Sequence, residues 1–229
     1  MTADKPTIRT VVFDLDDTLY PEWQYVRSGF GAVSEHLRRE FPVGPRDDSY
    51  ERYLWERFLG GQRAGAFDAL SEHFHLRLGK EALAGLVQVY RNHSPAIEAY
   101  SGTASMLSLL HADYRLGLVS DGYMPGQRLK LAATGLTRFF DAVIFTEELG
   151  REFWKPSPKA FEMLQDKLGA GCVYVADNPA KDFVAPNKLG WLTIQYRHRS
   201  QLHADNPIAP AGRPQIVVSS PDQLLPALK

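Results

Sequence analysis

Short apolar runs punctuate the chain at residues 11–13, 116–119, 142–145, 173–176, 192–195 and 216–218. Runs this short, bounded by turn-forming or polar residues, read as strands buried within a sheet. Helical patterns lie between the later ones, at 104–111, 127–133 and 158–168. In the last of these, Phe161, Leu164 and Leu168 recur at helical spacing and make one buried face. Strands alternating with helices predict an α/β domain, a mostly parallel sheet with helices on both faces.

Residues 21–100 break that rhythm. They offer no convincing strand but four amphipathic segments, 23–40, 50–59, 66–78 and 81–93. Pro42, Gly44 and Pro45, then Gly60-Gly61, then Gly79 separate them. This predicts an all-helical domain at 21–100 inserted into an α/β core made of 1–20 and 101–229. Its aromatic residues, including Trp23, Tyr25, Phe30, Tyr53, Trp55, Phe58 and Phe74, are expected mostly in its core. Residues 198–214 are polar and proline-rich and predict a surface loop, before a closing strand at 216–218 and a helix at 221–228.

Composition narrows the function. At 229 residues with 44% hydrophobic and 23% charged positions, the chain reads as an ordinary globular protein. Its 26 Lys+Arg against 27 Asp+Glu give a net charge of −1, which leaves no basic field for nucleic acid or an anionic membrane. The single cysteine, Cys172, excludes an intramolecular disulfide and a cysteine-based zinc cluster, and its apolar neighbours mark it as a small buried residue. Residues 1–6 lack the apolar run of a signal peptide, and no stretch is apolar enough to span a bilayer. A cytoplasmic location is the expectation.

Four constellations carry chemistry. The first strand ends as Phe13-Asp14-Leu15-Asp16-Asp17-Thr18, so Asp14 and Asp16 crowd one small space at a strand end. Like charges that close need a cation or a shared proton to hold them, although an acidic capped turn has the same pattern. The second strand ends in Ser120-Asp121-Gly122, a hydroxyl and a tight turn suited to an anion. Lys155 follows Trp154 and precedes Pro156-Ser157-Pro158, with Ser157 and Pro158 placed to start a helix and hold the lysine still. Finally Val173-Tyr174-Val175-Ala176-Asp177 repeats the buried strand ending in a carboxylate, with Asp182 five positions on. Hard oxygen ligands of this kind suit Mg²⁺.

The order D-x-D-x-T, S-D-G, K-P-x-P and D-x4-D, spread over residues 11–182, resembles the phosphatase branch of the haloacid dehalogenase superfamily. The helical insertion resembles that superfamily's cap. Ala176 departs from the glycine often found before the last aspartate, a small change. The resemblance implies a Rossmann-like core and an Mg²⁺-dependent phosphatase acting on a small phosphorylated metabolite. It implies Asp14 as the nucleophile that becomes an aspartyl-phosphate, and Asp16 as the acid and base. Mg²⁺ would be held by the Asp14 side chain, the Asp16 carbonyl and Asp177, with Asp182 in support. Ser120, the turn at Asp121 and Lys155 would hold the phosphoryl group, Thr18 would support the turn, and Asp17 would have a local capping role. The implied partner is a small phosphate ester. A phosphomutase is the nearest alternative. A metal-independent dehalogenase, a receiver domain and a non-catalytic binding protein fit the acidic set or the insertion less well. Arg27, Arg46, Arg57, Arg63, His73 and His75 are the inserted residues that could meet an anion, most of them expected at the surface.

Overall fold

The computed structural model describes residues 8–41 and 44–229; Pro42 and the segment 1–6, read above as a breaker and as a leaderless start, lie outside the described residues. The chain divides into two compact units. One is Ile97–Lys229 together with the chain up to Glu22, and the other is Trp23–Ala96.

The larger unit is built on one sheet. Its strands are β1 (Thr10–Phe13), β2 (Arg115–Ser120), β3 (Ala142–Phe145), β4 (Cys172–Ala176), β5 (Leu192–Tyr196) and β6 (Ile216–Val218). They lie in the order β3-β2-β1-β4-β5-β6, and every neighbouring pair is parallel. The chain leaves the central β1 for β2 on one side and later reaches β4 on the other. The reversal opens a crevice beyond the carboxyl ends of β1 and β4, where sheets of this order place ligands.

The inserted unit contains α1 (Glu22–Glu40), α2 (Ser49–Leu59), α3 (Ala66–His73) and α4 (Lys80–Asn92). Tyr25, Phe30 and Phe58 are buried, while Trp23, Tyr53, Trp55 and Phe74 are half-buried. The third helix ends five residues before the expected 78. Phe74 closes it, and His75 and Arg77 then take left-handed φ of 53° each. His73 is the last residue of that helix and stacks on Tyr53 at 4.2 Å, and His75 lies beyond its end. Arg27, Arg57 and Arg63 lie over the rings of Trp55, Tyr53 and Phe58, and Arg46 donates to the Arg38 carbonyl.

Around the sheet run α5 (Thr103–Asp113), α6 (Gly126–Ala133), α7 (Lys159–Leu168), α8 (Val184–Lys188) and α9 (Leu224–Ala227). Phe161 and Leu164 of α7 are fully buried with Val12, Val119 and Tyr174 from three strands. Gly117 in β2 permits that approach, since a Cβ there would stand 3.1–3.2 Å from Leu168, Leu164 and Val12. Burying a Phe or Leu side chain contributes about 1.5–3 kcal/mol, so this face anchors the sheet. The α7 helix starts at Lys159 with Pro158 just outside it, and the expected helix at 221–228 divides into a tight turn, Pro221–Gln223, and α9. The brief α8, five residues with Pro186 in its first turn, is too short to show a period in the sequence.

The loop after β5 is less superficial than expected. Ala204 is buried, and its carbonyl accepts from Gln195 Nε2 at 3.0 Å.

Candidate active site

Carboxylates and hydroxyls stand at the ends of four adjacent strands. Asp14 continues β1, its N–H donating to the Val175 carbonyl of β4 at 2.9 Å. Ser120 ends β2, Thr146 follows β3 and Asp177 follows β4. Extended backbone delivers each side chain to the same edge, and all four are buried.

Lys155 reaches this edge from the turns after β3. Its Nζ lies 2.5 Å from Asp14 Oδ1 and 2.7 Å from Asp182 Oδ1, and donates to Tyr174 Oη at 3.1 Å. Its backbone N–H donates to Asp121 Oδ1 at 3.1 Å, which fixes the root of the side chain. Burial alone would lower the Lys155 pKa, but Asp14 and Asp182 outweigh it and hold the amine well above its ordinary range. Burial raises the Asp14 carboxyl to about 7, against the pull of Lys155.

Oxygens of Asp14, Asp177 and Asp182 lie within 4.8 Å of one another. Asp182 is anchored by the Asn178 N–H, which donates to its Oδ2 at 3.0 Å. Asp177 differs: among the described residues, its buried Oδ2 has no hydrogen-bond partner. Burial, then the charges of Asp182 and Asp14, push the Asp177 carboxyl well above its usual range. Three buried carboxylates with one orphaned oxygen form a donor set short of positive charge. A hard divalent cation fits it.

Asp16 turns elsewhere. Its Oδ1 accepts from Lys130 Nζ at 2.8 Å and from the Tyr20 hydroxyl, and its Oδ2 accepts from Gln127 Nε2 at 2.6 Å. Burial would raise its pKa, but Lys130 and Gln127 prevail and hold the carboxyl below its ordinary value. Ser120 Oγ accepts from the same Gln127 Nε2 at 2.7 Å. The Asp121 carboxylate is occupied structurally, by Thr146 Oγ1 at 2.8 Å, the Lys155 N–H and Lys181 Nζ at 3.0 Å. An anion at this turn would meet its backbone rather than this carboxylate.

A family model for haloacid dehalogenase-like hydrolases matches residues 8–190, which include every one of these groups. The chain belongs to that family. This hydrolase is 28% identical over 233 residues to the glyceraldehyde 3-phosphate phosphatase of Methanopyrus kandleri, covering 97% of each chain. It is 24% identical to the pyrimidine 5'-nucleotidase YjjG of Escherichia coli, over 83% of this chain and 88% of that one. Its fold is similar to that of the HAD-hydrolase YfnB of Bacillus subtilis, a structure bound to magnesium, with a TM-score of 0.67 and 20% identity over 97% and 99% of the two chains. No helix among the described residues of the hydrolase is long and apolar enough to cross a membrane.

Two supporting residues acquire definite places. Asp17 has φ of 55° and is fully buried; its carboxylate accepts from the Glu22 N–H at 2.8 Å and the Leu202 N–H at 2.6 Å. It therefore ties the turn after β1 to the loop after β5, beyond the local cap expected of it. Thr18 closes the same turn through its N–H, 3.4 Å from the Leu15 carbonyl, while its buried hydroxyl has no partner among the described residues.

Sequence reading missed Gln127, Lys130, Tyr20, Thr146, Tyr174 and Lys181. Gln127 and Lys130 lie three apart on α6, and nothing local separates them from the polar face of a surface helix. Lys181 stood inside the Asp177–Asp182 motif, where a cation among carboxylates was the available signal. Asp182, Asp121 and Asp14 raise its pKa against burial and the repulsion of Lys155.

Proposed function

We propose that this hydrolase is an Mg²⁺-dependent phosphatase that cleaves a small phosphorylated metabolite, a sugar phosphate or nucleotide-like monoester, through a phosphorylated Asp14. The observation that carries this reading is the placement of Asp14 against both Lys155, at 2.5 Å, and the carboxylates of Asp177 and Asp182. The similarity to a glyceraldehyde 3-phosphate phosphatase over nearly the whole chain supports the substrate class.

In the first half of the reaction, an Asp14 oxygen bonds to phosphorus as the bond to the leaving oxygen breaks. Asp16, when protonated, gives its proton to that oxygen. In the second half Asp16 takes a proton from water, the water oxygen bonds to phosphorus and the Asp14–phosphorus bond breaks. Splitting one hydrolysis into two transfers is covalent catalysis. Ser120 orients the phosphoryl group with the N–H groups of its turn, and Lys155 balances its charge. Phosphoryl transfer rests on such positioning and electrostatics.

The Asp14 side chain, the Asp16 carbonyl and Asp177, with Asp182 in support, would hold Mg²⁺. When bound, the cation neutralises charge between an anionic nucleophile and an anionic substrate. A panel of phosphate esters assayed with Mg²⁺ for free phosphate tests the reading. Turnover of small monoesters is expected. Silence across the panel, or an isomerised sugar phosphate without phosphate release, contradicts it.

A further inference from the structure

The α6 helix sets Gln127 and Lys130 one turn apart on a buried face, 2% and 6% exposed. Both side chains end on the Asp16 carboxylate, Lys130 Nζ on Oδ1 at 2.8 Å and Gln127 Nε2 on Oδ2 at 2.6 Å. The Gln127 amide orientation is determined by its surroundings. Nε2 faces the Asp16 carboxylate, Ser120 Oγ at 2.7 Å and the Asp121 carbonyl at 2.6 Å, and a carboxylate and a carbonyl can only accept. Its two hydrogens are shared among these three oxygens, and because an amide nitrogen cannot accept, the Ser120 hydroxyl hydrogen is left to donate elsewhere. Gly122 makes room for this amide: it has φ of 136°, and a Cβ there would stand 2.8 Å from Gln127 Cδ.

We propose that Lys130 and Gln127 are positioning residues, which hold the Asp16 carboxylate in place for the water-attack half of the reaction. The inference rests on the phosphatase reading above. Among the described residues, Lys130 and the Tyr20 hydroxyl occupy Oδ1, while Gln127 alone is on Oδ2. A carboxylate offers about four lone-pair sites, so Oδ2 keeps the one that takes the proton from water. That proton leaves water as its oxygen bonds to phosphorus, the Asp14 oxygen departs as carboxylate, and Asp16 afterwards releases the proton to solvent. Without the clamp, Asp16 rotates away and the phosphorylated enzyme waits.

The test uses p-nitrophenyl phosphate and Mg²⁺, since this leaving group departs without protonation. In Lys130→Met, kcat should fall about 100-fold, the scale of a lost general base, while kcat/KM falls about tenfold or less. Rapid mixing should show a burst of nitrophenolate near one equivalent per site, and Lys130→Arg should recover part of kcat. Gln127→Ala should show the same fall in kcat and the same burst with a larger loss in kcat/KM than Lys130→Met, because it also loosens Ser120, and it supplies the reading if Lys130→Met does not fold. Equal losses in kcat and kcat/KM without a burst, or unchanged kinetics, overturn the proposal. A wild-type chain silent on this ester and on the ester panel refutes the phosphatase reading itself, and the inference falls with it.

Discussion

Lys155 Nζ sits 2.5 Å from Asp14 Oδ1 across 141 residues of sequence, and both side chains are buried. Lys155 opposes the burial that raises the Asp14 carboxyl toward its neutral form. Lys155→Met removes the positive partner of Asp14 and Asp182 together. Breaking a buried pair from one side costs about 3–5 kcal/mol, and chemical denaturation in EDTA should show a loss on that scale. Phosphatase kcat should fall about 100-fold or more, the effect of losing one preorganised electrostatic partner. A variant as stable and active as the wild type removes Lys155 from the site.

Asp177 is the reverse case, a buried carboxylate with an orphaned oxygen. Asp177→Asn replaces a charge that burial and neighbouring acids disfavour. Its metal-free form should melt at or above the wild-type temperature. Mg²⁺ added at about 100 times its Kd should stabilise the wild type by about 2.7 kcal/mol and leave the variant unmoved. Thermal scans with Mg²⁺ and with EDTA decide this. An equal Mg²⁺ shift in both chains contradicts the ligand assignment.

Asp17 links stability to pH. Burial, with Glu22 adding to it, raises its carboxyl to about 7. A folded pKa above the unfolded one means that ionisation is disfavoured in the native state. The contribution is whole below the unfolded value and is lost as pH rises through about 7. Asp17→Asn should therefore flatten the decline in metal-free stability between about pH 4 and pH 7, followed by chemical denaturation at each pH. A variant with the wild-type slope assigns that titration elsewhere.

Cys172 should be inert. Burial pushes its thiol up to about 11, and its Sγ–H donates to the Gly169 carbonyl at 3.2 Å. At pH 8 only about one part in a thousand is thiolate, so a thiol reagent should label the native protein very slowly and the denatured protein at once. Rapid native labelling contradicts its structural role.

The parts of the fold that were legible are those written locally. Six apolar runs became six strands because a buried strand needs little more than a short apolar run and a stop. Asp14, Ser120 and Asp177 were legible because strand ends present their next side chain to the edge of the sheet. Lys155 was legible through its proline-bounded motif, although its two carboxylate partners were not separable by sequence.

What stayed hidden depends on contacts between distant segments. Lys130 meets Asp16 across 114 positions and Leu202 meets Asp17 across 185, and no periodicity encodes such register. The early end of α3 was also hidden. The left-handed turns fall on His75 and Arg77, where no glycine announces them.

The most direct test of the nucleophile is Asp14→Asn, assayed for release of phosphate from p-nitrophenyl phosphate with Mg²⁺. The expected result is a folded chain, with the wild-type circular dichroism spectrum, that releases no phosphate above the EDTA background. Turnover at the wild-type rate by that variant would contradict the assignment of Asp14.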